Sequence, residues 1–189
     1  MRRKDFIDIY RMSIERDGAN ELLEWLDETD FYTAPASTRF HGSYEGGLCE
    51  HSVNVWEELT RLLKAYPEIK VSLETATIVS LLHDVCKIGC YKQELRNKKV
   101  NGVWVQQPSY VFQEDFCFGG HGSKSVYLIQ KYMPLSEEEA VAINCHMGSW
   151  DRTPSDYGVG SAYEKYPLAW LLHVADESAT YIREKENKQ

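Results

Sequence analysis

Leu81-Leu82-His83-Asp84-Val85-Cys86-Lys87-Ile88-Gly89 sets an imidazole and a carboxylate side by side in an otherwise apolar run. It closes a stretch from about Leu73 to Ile88 that is apolar nearly all round, which predicts a central helix with His83 and Asp84 near its C-terminal end. An ionised aspartate in such surroundings is costly unless it is paired or bound to a cation. A second carboxylate stands in the same setting in Leu171-Leu172-His173-Val174-Ala175-Asp176. One shared cation is the simplest way to satisfy both. Spacing alone does not prove that they converge, because they lie far apart along the chain.

Working upstream, Leu48, His51, Val55, Leu59 and Leu62 recur at three- and four-residue steps, which predicts a helix that turns His51 inward. Phe31 to Gly47 carries Pro35, Ser37, Gly42, Ser43, Gly46 and Gly47 and reads as a loop. Two helices are expected before it, one through Phe6–Arg16 that stops near Gly18 and one from Ala19 to Asp30. Downstream, Lys99-Val100-Asn101-Gly102-Val103-Trp104-Val105 places an Asn-Gly pair between β-favouring residues, a strong hairpin signal. Pro108 to Phe112 is a candidate third strand, so the insertion around 94–113 is expected to be a hairpin or a three-stranded meander. His121 falls in the loop Gly119–Gly122 before a helix from Ser123 to Tyr132 that Pro134 ends. Ser136-Glu137-Glu138-Glu139 is a capping-box pattern opening another helix, with His146 near its end, and a last helix is expected from Tyr163 to Glu184. The fold class is therefore all-α, a helical bundle with one small β insertion.

Composition fits one domain spanning 1–189, with N-terminal helices over 1–30 and the core over 46–185. Hydrophobic residues make up 43% and charged residues 26%, as in an ordinary globular protein. A net charge of -8 argues against a long nucleic-acid substrate, which needs a basic stripe, but a bound divalent metal can outweigh it for a small nucleotide. The opening Met1–Tyr10 has no apolar signal core and no run reaches membrane-spanning length, so a cytoplasmic location and no membrane partner are expected. Cys49, Cys86, Cys90, Cys117 and Cys145 form no C-x-x-C pair and read as small buried hydrophobes.

Five segments carry a family resemblance: Gly46–Ser52, Leu81–Gly89, Gly120–Ser125, Asn144–Gly148 and Leu172–Asp176. In this order they resemble the HD-domain phosphohydrolases, named for the pair present here as His83-Asp84. The likeness is nearest to the HD domain of bacterial 3′-to-5′ exoribonucleases and their stand-alone relatives, which implies a phosphodiesterase-like helical fold. The resemblance implies one metal on His51, His83, Asp84 and Asp176 and a second on Asp84, His121 and His146. Mn, Fe, Co or Ni suit such nitrogen and oxygen donors, with Mg or Zn as alternatives. It also implies hydrolysis of a phosphoester by an activated water, with Asp84 and Lys87 as the catalytic pair. The exoribonucleases carry an OB-fold module not seen in this chain, which favours a small nucleotide or short oligonucleotide.

Around that centre, His41, Lys87, Tyr91, Lys92, Lys124, Trp150 and Arg152 are candidate substrate contacts. Each has a plainer reading. His41 can brace its loop, Trp150 can anchor the loop after His146, and scattered surface cations are usually only solvated. His173, one turn before Asp176, fits support or packing better than ligation. Two rivals to the hydrolase stay open: an HD-fold di-iron oxygenase and a catalytically silent nucleotide-binding module.

Overall fold

Helix α3 (Gly47–Ala65) carries His51 and forms the spine of the fold in the computed structural model, which describes residues 2–113, 118–150 and 158–184. Gly46, at φ 83°, starts it, and Gly47 packs so tightly that a Cβ there would fall 1.9 Å from the Gly42 carbonyl oxygen. Its stripe of Leu48, Val55 and Leu59 is fully buried, as the periodicity requires. Helix α1 (Arg3–Ser13), α4 (Leu73–Leu82) and α8 (Pro167–Ser178) pack around it. Helix α2 (Ala19–Asp27) adds Leu22 and Leu26 to the same core. Each fully buried leucine contributes about 1.5–3 kcal/mol.

Ser72 caps α4 by accepting a hydrogen bond from the Thr75 N–H, and Ala76 to Leu82 are all buried. The helix ends at Leu82 rather than Ile88. His83 is its C-cap, and Val85–Lys87 form a 3₁₀ turn that leads to Gly89 at φ 71°. Apolar composition suits either geometry, so periodicity does not locate the change.

The β insertion is the hairpin and not the meander. β1 (Tyr91–Val100) pairs antiparallel with β2 (Val103–Phe112) from Tyr91↔Phe112 to Val100↔Val103. Asn101 and Gly102, at φ 49° and 86°, make the turn. Pro108 to Phe112 continue β2 instead of forming a third strand; Pro108 is tolerated opposite Leu95 because both strands are edges.

The remaining helices are α5 (His121–Gln130), α6 (Glu137–Cys145) and α7 (Gly158–Lys165), making eight α-helices among the described residues. The capping box of α6 forms as expected between Ser136 and Glu139. The single helix expected over Tyr163–Glu184 is interrupted. Pro167 cannot continue α7 and instead opens α8 in its first turn, and Ala179–Arg183 then widen into a π-helical turn. Cys49, Cys86 and Cys90 are buried and Cys145 half-buried, all as free thiols, while Cys117 lies outside the described residues. No described helix is long and apolar enough to cross a membrane.

Candidate metal centre

Two of the helices end on a histidine and use it in the same way. His83 caps α4 and donates from Nδ1 to the Ser80 carbonyl at 2.8 Å. His146 caps α6 and donates from Nδ1 to the Ile143 carbonyl at 2.6 Å. A carbonyl only accepts, so the Nδ1 proton is placed and each Nε2 keeps its lone pair. His51, on the buried face of α3, meets Glu184 Oε1 through Nδ1 at 3.0 Å, which fixes the same tautomer. All three Nε2 atoms are buried and have no hydrogen-bond partner.

They converge on two carboxylates. Asp84 Oδ2 lies 3.7 Å from His51 Nε2 and 3.4 Å from His83 Nε2, and its Oδ1 is 3.6 Å from His146 Nε2. Asp176 Oδ1, from α8, is 3.1 Å from His51 Nε2. Donor atoms of His51, His83 and Asp84 lie within 4.8 Å of one another, as do those of His83, His146 and Asp176. Four elements that are distant in sequence thus close around one small volume.

Burial opposes charge on Asp84, yet Lys87, His83 and His146 hold its carboxyl well below the usual carboxylate range. Asp176 is likewise held low against burial, chiefly by His51. On His51 burial also disfavours charge, but Glu184 and Asp176 outweigh it and lift the pKa to about 10. The carboxylates thus demand positive charge at His51 Nε2, which a proton or a metal ion satisfies. Three orphaned imidazole nitrogens beside two ionised carboxylates fit a divalent transition metal.

Other candidates surround this group. Lys87 Nζ sits 2.6 Å from Asp84 Oδ2, nearly buried. The His41 ring lies tilted beside that of His51, 4.7 Å between centres; both its nitrogens are buried without a partner, and burial together with His51 lowers its pKa to about 4. Tyr91 donates to the Ala36 carbonyl at 3.2 Å and so braces the hairpin against the loop before α3. Lys124 Nζ lies 3.3 Å from Cys90 Sγ. Lys92 is exposed and pairs with Glu94. Trp150 is 78% exposed, in a 3₁₀ turn after His146. Arg152 falls outside the described residues. His121 heads α5, half-buried, and belongs to none of the convergent donor groups among the described residues.

Two supports hold the donors in place. Glu184, just after the π turn and not singled out by the sequence, orients His51 and also accepts from Asn54 at 3.0 Å. His173, expected to give support or packing, donates from Nδ1 to the His146 carbonyl at 2.7 Å. Gly148 makes room for that ring: it sits at φ 57°, and a Cβ there would lie 2.9 Å from His173 Cε1.

The HD domain family model matches residues 48–181. No curated protein and no solved structure matches the chain significantly. The matched region runs from the start of α3 into the π turn and holds all five convergent donors. The chain belongs to the HD-domain family, a superfamily of metal-dependent phosphohydrolases.

Proposed function

We propose that this protein is a metal-dependent phosphohydrolase that cleaves a phosphoester of a nucleotide. The observation that carries the reading is the set of three buried Nε2 atoms without partners, aimed at two carboxylates. His51, His83, His146, Asp84 and Asp176 would hold the cation. When bound, a divalent cation polarises a phosphoryl oxygen and makes water a stronger acid.

The chain's own groups set up the rest. Lys87 keeps Asp84 ionised and brings a positive charge beside the reacting phosphate. His41 stays neutral and offers an unpartnered ring N–H to a substrate oxygen. Glu184 and the carbonyls of Ser80 and Ile143 lock the tautomers of the three histidines, so donor atoms need no rearrangement before use.

The test is hydrolysis of a nucleotide panel by metal-stripped protein reconstituted with Mn²⁺, Co²⁺, Ni²⁺, Fe²⁺ or Mg²⁺. Turnover is expected with the first four more readily than with Mg²⁺, because imidazole suits them. Asp84→Ala is expected to lose about 10³-fold, equivalent to about 4 kcal/mol of barrier. Full activity in the stripped protein, or in Asp84→Ala, would overturn the reading. Metal analysis also tests the second ion implied on Asp84, His121 and His146. Two ions per chain falling to one in His121→Ala is expected, and one ion in both would remove His121 from the ligand set.

A further inference from the structure

The hairpin leaves one of its faces open to solvent. Tyr91 ties its root to the Ala36 carbonyl, but no helix among the described elements packs closely on its strands. The pleat sorts the side chains. Glu94, Lys98, Val105, Ser109 and Val111 share the face that turns inward, with Val111 buried and Val105 and Ser109 half-buried. The other face sets Leu95 opposite Pro108 and Lys99 opposite Trp104, all exposed, and holds no carboxylate. Leu95 is 65% exposed and Trp104 68%. A two-stranded ribbon is only marginally stable in water, and its open edges invite a partner.

Charge narrows what can cover that face. Tyr91–Phe112 nets +3 in a chain whose net is -8, which leaves -11 on the rest. Lys98 and Lys99, beside the turn, have no carboxylate partner among the described residues. Laying a second hairpin on the first would bring like charges together, which disfavours arm-to-arm pairing.

Helix α2 presents the complement. Glu21, Glu24 and Glu28 follow one another at three- and four-residue steps on its exposed side, where like charges repel. Glu28 is also the C-cap, at the negative end of the helix dipole. Arg3 relieves neighbouring Asp27, yet no cation pairs with these three glutamates among the described residues. Trp25, on the same stripe, is half-buried and stacks on Tyr132, 5.2 Å between centres, so an apolar surface lies beside the carboxylates.

We propose that the hairpin is a dimerisation arm that lies across α2 of a second copy of this chain, with Lys98 and Lys99 against Glu21, Glu24 and Glu28 and Trp104 beside Trp25. A two-fold axis repeats the contact, so each copy gives one arm and receives one. Strands of this length span about 33 Å, and a two-stranded face about 10 Å wide offers about 330 Å². Two such contacts, counted on both copies, remove about 1,300 Å² from water, enough for a stable interface. None of these residues belongs to the metal centre, so the dimer does not depend on the hydrolase reading.

The test is sedimentation of the full-length protein. Wild type is expected to be dimeric at about 100 μM, with association that weakens as salt rises. Trp104→Ala should dissociate at least about tenfold more readily. Lys98→Glu/Lys99→Glu and Glu21→Lys/Glu24→Lys/Glu28→Lys should each be monomeric, because each sets like charge against like. Mixing these two variants should restore a dimer, since both contacts then join opposite charges; restoration also shows that both variants are folded. Lys64→Glu/Lys70→Glu, outside both surfaces, should remain dimeric. A monomeric wild type at that concentration overturns the proposal. So does a dimer that survives reversal at α2, which would place another surface against the arm, or a mixture of the two variants that stays monomeric.

Discussion

Two buried polar clusters among the described residues differ in that one is complete and the other is not. In the first, Arg16 grips Glu139 with both guanidinium nitrogens, at 2.6 and 2.9 Å. Glu139 also accepts from the Thr75 hydroxyl and the Ser136 N–H, while Arg16 donates further to the Pro134 carbonyl and Glu74. Every member has its partners, so the cluster joins the segment after α1 to the starts of α4 and α6 and needs nothing more. In the second, His51, His83 and His146 are equally buried, yet each leaves one ring nitrogen without a hydrogen bond. Leaving one buried polar atom unsatisfied costs about 1–3 kcal/mol, so three together mark a place where another atom belongs. Satisfaction, rather than burial or charge, separates a strut from a socket.

The contrast breaks most visibly at Glu139. Glu139→Ala strands the Arg16 guanidinium and should cost about 3 kcal/mol, a fall of about 6–12 °C in Tm, with metal content unchanged. Burial opposes the Glu139 charge, but Arg16, Ser136 and Thr75 outweigh it and hold its pKa below the ordinary 4.5. A depressed carboxylate stabilises the fold fully above the unfolded value and loses that stabilisation as pH falls toward the folded one. Acid denaturation of wild type should therefore steepen below about pH 4.5, and Glu139→Gln should flatten that slope. Equal slopes would deny the pair its role.

The socket predicts the opposite behaviour. Mn²⁺ at a hundredfold excess over its Kd should raise stability by about 2.7 kcal/mol, read as a Tm increase. Glu139→Ala should receive the same increment, because separate clusters add independently, whereas Asp84→Ala should receive none. A rise of similar size in Asp84→Ala would erase the distinction between the clusters. The smallest effect is expected at Glu184. Glu184→Gln should weaken metal affinity about tenfold, measured by chelator competition, since a carboxylate orienting a ligand histidine is typically worth that much. Unchanged affinity would reduce Glu184 to packing.

Much of this is legible in the residues themselves. Asp84 and Asp176 stand out because a carboxylate in an apolar run needs a reason, and His51 because it falls on the apolar stripe of α3. The capping box announces α6, and Asn101-Gly102 announces the hairpin. Glu184 escapes notice because Arg183-Glu184-Lys185-Glu186 reads as a solvated helix end. The break at Pro167 is open to view, since proline in a helical pattern marks a restart, but the apolar run after it masks the signal.

The π-helical stretch Ala179–Arg183 decides where Glu184 arrives. A π turn holds more chain than an α turn, and each helical residue sweeps about 100° around the axis. Winding the same residues as ordinary α-helix would rotate everything after them by about 100° and swing Glu184 away from His51, because the π turn absorbs one residue more than an α turn. Exchanging the exposed side chains of Tyr181 or Ile182 would do no such thing. The aim of Glu184 at His51 therefore depends on how this stretch is wound and not on the side chains it shows to solvent.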